Sequence, residues 1–410
     1  MDTFIARQPI FDRQLGVYGY ELLFRSGLKD YFDHADPDQA SSRVIADSLF
    51  LPHLDALSRG RLVFIPVTRE GLVQKWIGIL RPESTVIQIV AAVEPDDEVL
   101  EACRAFRSRG YRLALDDFTR GSRWEPWVDL VDILKVDVLC STLRDRAALA
   151  QCFRGRPQVL LAEKVETQES YRETHGQGYG LFQGYFFARP SAVPGRDIAG
   201  ARVHYLQLLR EIHKAGLDFA AIAEIVEREV GLSYKLLRYL NSAFFGWRGP
   251  VSSIRHALML LGEREIKTWA SVVVMASMAA DKPDELVTQA LLRGRLCEQL
   301  APAVGLADQS SDLFLLGAFS LIDAMLDFPL ESILAQIPIA EDVKAALLGE
   351  PGQLRDVLEV VLAYDACNLQ VMSEHASKLG LDESILPGQY LEALRWCDEE
   401  GDLNAGVHAA

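Results

Sequence analysis

The chain has 410 residues, 49% of them hydrophobic and 24% charged, with a formal net charge of −16. This length accommodates two or three domains of ~100–200 residues, and the composition is ordinary for a soluble globular protein. So acidic a surface repels phosphate backbones and no basic cluster makes a local exception, so nucleic acid is not expected as a direct partner.

Six cysteines stand at 103, 140, 152, 297, 367 and 397, with no C-x-x-C pair and no zinc spacing. Reduced thiols and a cytoplasmic location are expected. The opening residues, Met1 to Arg7, carry no cationic stretch followed by an apolar core, so no signal peptide is expected. The longest uncharged run of membrane character, Thr268–Ala280, has 13 residues. It is too short to span a bilayer and reads as a buried helix, so membrane insertion is not expected.

In chain order, the first half alternates. Phe4-Ile5-Ala6 predicts a short strand, Asp12-Arg13-Gln14 a turn, and Val17 to Phe24 a second strand. A helical pattern runs from about Gln39 to Leu57, and Arg61–Ile65 reads as a strand stopped by Pro66. A helix then leads to the strand Thr85–Val90. Val99, Leu100, Cys103 and Phe106 form a helix face closed by Gly110, before the strand Arg112–Asp117. The strand Asp132–Asp137, a helix near 143–153, the strand Gln158–Glu163, a helix ending at Gly176 or Gly178, and the strand Gly180–Gly184 complete the series. Eight strands joined mostly by helices predict an α/β domain over 1–195, a TIM-like (β/α)8 barrel compressed to about 190 residues against the more usual ~250.

From Ala188 to Gly200, Pro190, Pro194 and two glycines mark a linker, with prolines that restrict its backbone. Beyond it the period changes to 3.6. Leu206, Leu209, Ile212 and His213 make one face, and Phe219, Ile222, Ile225 and Val226 another. Further helices are expected over Glu285–Leu300, Asp312–Asp327, Ile339–Leu348, Leu354–Leu379 and Tyr390–Trp396, giving an all-α domain over 196–410. His213 and His256 lie on apolar faces and are expected in the core. Asp323 is expected to be a helix-internal hydrogen-bonding residue.

The polar residues at the candidate strand ends are Glu21 and Arg25, Asp116 and Asp117, Lys135 with Asp137, Glu163 with Glu166, and Gln183. A barrel gathers distant strand ends at one rim. Several carboxylates, a lysine and a glutamine converging there suit a two-metal phosphoryl-transfer site. Taken alone, Asp116 and Asp117 equally suit a helix cap or a turn.

The runs Gln8-Pro-Ile10, Tyr20-Glu-Leu-Leu-Phe-Arg25, Ala114-Leu-Asp-Asp-Phe118, Leu134-Lys-Val-Asp137, Ala162-Glu-Lys-Val-Glu-Thr167 and Phe182-Gln-Gly-Tyr185 resemble the motifs of the EAL domain. The resemblance implies a barrel that hydrolyses cyclic di-GMP with two Mg²⁺ or Mn²⁺ ions. It implies that Glu21 is the signature glutamate, Asp116 and Asp117 the metal-bridging pair, and Lys135 the lysine near the attacking water. It also implies that Glu163 is a metal ligand, that Glu166 steadies the loop after the aspartate pair, and that Gln183 lies near the end of the barrel. Two positions depart from the pattern. Pro66 stands where the family has an asparagine ligand, and Gln88 stands where it has a glutamate. Proline has no ligand atom and glutamine brings no charge, so no tightly bound metal is expected.

Leu237–Gly246 and Val251–Gly262 resemble the HDOD domain, a helical relative of HD phosphohydrolases. No histidine here is followed by aspartate, so no metal chemistry is expected in this half. Phe244, Phe245 and Trp247 read either as a plug between helices or as a docking patch for a partner. EAL followed by HDOD is similar to the YuxH-like family of bacterial signalling proteins. Both halves resemble enzymes that have lost metal ligands, so a non-enzymatic signalling or scaffold protein is expected, whose barrel senses a nucleotide such as cyclic di-GMP or another protein, and whose helical domain contacts other signalling proteins. The alternative is an active or weakly active cyclic di-GMP phosphodiesterase using Mg²⁺ or Mn²⁺. The sequence leaves homo-oligomerisation open.

Overall fold

A side chain returns to the same face of a strand every second residue, and this period builds the first half of the molecule. The computed structural model describes residues 3–26, 54–190, 208, 211–212, 217–228, 232, 236, 253–279, 282–335, 337 and 339–405. The chain forms two units: Met1–Phe187 with Tyr364–Gln370, and Ala188–Ala363 with Val371–Ala410.

The first unit is a closed barrel. Its strands are β1 (Thr3–Phe11), β2 (Val17–Ser26), β3 (Leu62–Val67), β4 (Thr85–Ile89), β5 (Arg112–Leu115), β6 (Ile133–Asp137), β7 (Val159–Glu163) and β8 (Leu181–Gln183), neighbouring one another in chain order. From β2 to β8 the strands run parallel, while β1 runs antiparallel to both its neighbours. The reversal follows from the short connection at Asp12. Asp12 Oδ1 accepts from the backbone N–H of Gln14 at 2.8 Å and of Gly16 at 2.9 Å, which closes a tight turn. A parallel return would need a crossover, for which this turn has no room. β1 pairs with β2 along its whole length, from Thr3 opposite Ser26 to Phe11 opposite Val17, but with β8 only at Ile10–Gln183 and Phe11–Phe182.

The helices of this unit are α1 (Leu54–Ser58), α2 (Arg69–Val73), α3 (Asp97–Ser108), α4 (Leu143–Phe153) and α5 (Gln168–Gln177). Asp96, Thr142 and Thr167 cap α3, α4 and α5 by accepting from the N–H of Val99, Asp145 and Ser170. Gly178, at φ 104°, ends α5. Of the helix expected from about Gln39, only α1 lies within the described residues.

One boundary differs from expectation. β3 does not stop at Pro66 but runs through it to Val67, with Pro66 opposite Gln88. The β2–β3 pairing ends at Glu21–Phe64, so at Pro66 the strand has a neighbour on one side only, where a missing N–H is tolerated.

Inside the barrel, Ile10, Phe64, Val86, Ala114, Ile133, Leu161 and Leu181 pack into one apolar layer. Two residues further along the parallel strands come Pro66, Gln88, Asp116, Lys135, Glu163 and Gln183. Two residues back on the reversed β1 comes Gln8. The alternation therefore sets a polar layer on top of the apolar one. Where β7 leaves this layer, Val165 N–H donates to the Gln183 carbonyl at 3.0 Å and Phe186 N–H to the Val165 carbonyl at 3.1 Å. A Cβ at Gly184, φ 145°, would lie 2.2 Å from the Val165 carbonyl oxygen, so only glycine fits there.

The second unit is helical: α6 (Phe219–Arg228), α7 (Ile254–Leu261), α8 (Glu263–Met278), α9 (Asp284–Leu300), α10 (Ser310–Phe319), α11 (Ile322–Leu326), α12 (Leu330–Leu334), α13 (Glu341–Leu347), α14 (Gln353–Asp365), α15 (Leu369–Leu379) and α16 (Leu386–Ala405). α9 is its buried axis. The helix expected over Asp312–Asp327 is broken at Ser320–Leu321, where Ser320 Oγ donates back to the Gly317 carbonyl at 2.7 Å. The one expected over Leu354–Leu379 is broken by Cys367, whose backbone is left-handed at φ 55°.

His256 is not a core residue. Ile254, Ala257, Leu258 and Leu261 form the buried side of α7, and His256 lies exposed off that stripe. His213 lies outside the described residues, as do 191–200 of the linker. Asp323 is half-buried at the start of α11 and accepts from the Ala324 N–H at 2.8 Å; burial raises its carboxyl above the ordinary range. All six cysteines are free, and no described helix is long and apolar enough to cross a membrane.

Candidate functional site

The polar layer is organised around Lys135 on β6. Its ammonium is 2% exposed and lies 3.1 Å from Glu21 Oε2, 3.0 Å from Asp116 Oδ1 and 3.0 Å from Glu163 Oε2. Burial by itself lowers its pKa. The three carboxylates outweigh burial and hold Lys135 above its ordinary range. Glu21 is fixed from both sides. Gln88 Nε2 donates to its Oε1 at 2.8 Å, and Gln183 Nε2 donates to its Oε2 at 2.5 Å and to Gln8 Oε1 at 2.8 Å. Burial pushes the Glu21 carboxyl up, but Lys135 and the two amides prevail and keep it below its ordinary value. Glu163 goes the other way, pushed up to about 8 by burial, with Asp116 adding repulsion against the attraction of Lys135.

A second cluster overlaps the first at Glu163. Oxygens of Asp117, Asp137 and Glu163 lie within 4.8 Å of one another. The β6–β7 register puts Asp137 beside Glu163. Asp117 arrives from the end of β5 in left-handed backbone, φ 46°, held by the Phe118 N–H donating to the Lys135 carbonyl at 2.8 Å. Asp137 Oδ1 accepts from the N–H of Leu139 at 2.7 Å and of Cys140 at 3.0 Å, and its Oδ2 accepts from Lys164 Nζ at 2.6 Å. Burial raises its carboxyl, and Lys164 with the Cys140 and Leu139 donors overrides this to lower it.

Among the residues expected at the site, Glu21, Gln88, Asp116, Lys135, Glu163 and Gln183 meet in one layer, with Asp117 beside it. Pro66 occupies its place in the layer and offers no ligand atom. Glu166 is partly buried on the loop after β7 and is not one of the three converging carboxylates. Arg25 lies on β2, but its side chain is outside the described residues, and so are Phe244, Phe245 and Trp247. Asp137 is a full member of the second cluster and not only the companion of Lys135 on β6. Its spacing of two from Lys135 on one strand was the available signal. Gln8 and Lys164 were not singled out.

The donor set accommodates one hard divalent cation better than two. Asp117, Asp137 and Glu163 supply close carboxylate oxygens, and the buried Gln88 Oε1 and Gln183 Oε1 have no hydrogen-bond donor. Around Glu21 the charge is already balanced by Lys135 and two amides, and Pro66 contributes nothing.

Barrel, acidic rim and helical unit together define a two-unit signalling protein of EAL–HDOD architecture. Residues 202–322 match the HDOD domain. The chain is 34% identical over 406 residues to the cyclic di-GMP phosphodiesterase CdgJ of Vibrio cholerae, covering 97% of this chain and 93% of that protein. It is 33% identical over 405 residues to YuxH of Bacillus subtilis, covering 97% and 98%. Among solved structures, the calcium and cyclic di-GMP complex of Klebsiella pneumoniae BlrP1 is similar over 46% of this chain and 56% of that one, at 22% identity and a TM-score of 0.40. The chain belongs to the EAL–HDOD, YuxH-like family.

Proposed function

We propose that the barrel recognises cyclic di-GMP and turns it over slowly or not at all, and that the HDOD unit carries the output by contact with other signalling proteins. The relative CdgJ is named for its action on cyclic di-GMP, which supplies the ligand class. The single observation that carries the reading is Gln88. Its amide N–H, in place of a second carboxylate, satisfies Glu21 at 2.8 Å. The rim is thereby balanced by an ammonium and amides of the protein itself. A divalent cation on the Asp117, Asp137 and Glu163 oxygens would polarise a phosphate oxygen and acidify a bound water.

Calorimetry with cyclic di-GMP, with and without Mg²⁺ or Mn²⁺ and paired with an assay for the linear dinucleotide, tests this. Saturable binding in chelator with little product is the expected result. A second reading, metal-dependent phosphodiesterase activity, is favoured by the Asp117–Asp137–Glu163 convergence. Rapid product formation on adding Mn²⁺ would establish it in place of the first.

A further inference from the structure

Lys164 stands just past the end of β7 in left-handed backbone. Its φ is 56°, the left-handed region, which costs a side-chain-bearing residue on the order of 1 kcal/mol. Both flanking residues are fixed. Glu163 is in the barrel layer, and Val165 is pinned against Gln183, Gly184 and Phe186 by the backbone contacts already described. Residue 164 is thereby anchored on both sides, and its exposed side chain reaches the rim from the solvent side. There the ammonium lies 2.6 Å from Asp137 Oδ2, although the side chain is 53% exposed. Asp137 holds it charged by a hydrogen bond, and Asp137, Glu163 and Asp117 each add Coulomb attraction, so all members of the carboxylate cluster act on this one cation. Asp117, the opposite flank, is left-handed too. Two such residues facing one cluster mark a functional position.

Asp137 Oδ1 accepts from two backbone N–H groups and Oδ2 from Lys164, so a cation entering the trio meets the ammonium at Oδ2. We infer that Lys164 is a tethered cation that competes with a divalent metal ion for the Asp117–Asp137–Glu163 cluster, so that metal occupancy displaces its ammonium to solvent. Lys135 is too buried to yield in this way, whereas Lys164 reaches its site from the open side. The inference is independent of the dinucleotide reading, because it concerns metal alone.

The experiment is titration of the full-length chain with Mn²⁺ by calorimetry, with no nucleotide present. Lys164→Gln should bind Mn²⁺ about two- to fivefold more tightly than the unaltered chain, the range that an exposed ion pair is worth. Lys164→Gly should do as well, since it also removes the ammonium. Lys164→Arg, which keeps the cation, should stay close to the unaltered chain. In an Asp137→Asn background the Lys164→Gln gain should vanish, which a general change of surface charge would not produce. Raising KCl should narrow the gap between Lys164→Gln and the unaltered chain. Equal or weaker binding by Lys164→Gln in a protein whose thermal melt is intact overturns the inference, and so does absence of Mn²⁺ binding in all variants. Neither failure touches the cyclic di-GMP isotherm, which is measured in chelator.

Discussion

Gln88 brings an amide N–H to Glu21 and leaves its own oxygen without a donor, so one side chain both settles and unsettles the rim. Replacing it with glutamate removes the donor and sets two carboxylates side by side. We expect Gln88→Glu to destabilise the metal-free barrel by ~1–3 kcal/mol, the cost of an unsatisfied buried group, and Mn²⁺ to restore more of the melting temperature than it does in the unaltered chain. With Pro66→Asn added, metal affinity should rise further; no change in the double variant would show that the site has lost more than these two ligands. Glu163 gives the rim a pH dependence. Its ordinary value is 4.5 and the folded barrel pushes it up to about 8, so between those values the folded chain binds more protons than the unfolded one. Its contribution is thus fully present below about pH 4.5 and is lost as pH rises towards 8, at up to ~1.4 kcal/mol per pH unit. The lowered carboxyls of Glu21 and Asp137 act at the acid end instead, losing stability as pH falls. Chemical denaturation at pH 5, 6.5 and 8 should show the decline in chelator, and Glu163→Gln should flatten it. The sequence displayed Gln88 and Glu163 but not which amide proton meets which oxygen, because that depends on strand register and rotamers set by residues more than sixty positions away.

At the scale of elements, the parallel strands were legible because each is a short apolar run ending in a polar residue, and the period of two carried Val86 to Gln88, Ala114 to Asp116 and Leu161 to Glu163. The direction of β1 was not, since a strand reads the same either way until its turn closes. Pro66 misled for a related reason: a proline ends a strand with neighbours on both sides, and only pairing reveals that β3 has lost one of them there. Helix breaks at Ser320 and Cys367 were hidden by unbroken apolar periodicity. Gly184 makes an element-level prediction. Gly184→Ala forces a Cβ into the Val165 carbonyl, so the junction of β7 and β8 must shift. A melting temperature several degrees lower is expected, with the Lys164→Gln gain in Mn²⁺ affinity reduced. An unchanged melt would mean that the loop after β7 is far softer than its hydrogen bonds indicate.

For the whole molecule, the change from period two to period 3.6 near residue 190 is the sequence signal read as a boundary, whereas the first unit ends at Phe187 and takes in Tyr364–Gln370 from far along the chain, which no local period announces; the family relation extends across 97% of the chain. The output surface was nominated from aromatic spacing alone, at Phe244, Phe245 and Trp247. Phe245→Ala is expected to reduce signalling output in cells while the cyclic di-GMP isotherm of the purified chain is unchanged. A melt lowered by many degrees would instead assign these aromatics to the helical core.

β8 is the most lightly held strand of the cylinder, with two residue pairs to β1 on one side and two to β7 on the other. On the β1 side the Gln8–Gln183 side-chain bond, Arg13 donating to the Tyr179 carbonyl at 2.6 Å and the packing of Phe11 on Phe186 and Phe187 reinforce the pairing. Unzipping there would carry Gln183 away from Glu21 without disturbing the strands from β3 to β6. In native-state hydrogen exchange the amides of β8 should open before those of β6, and a ligand gripping the rim should slow β8 most.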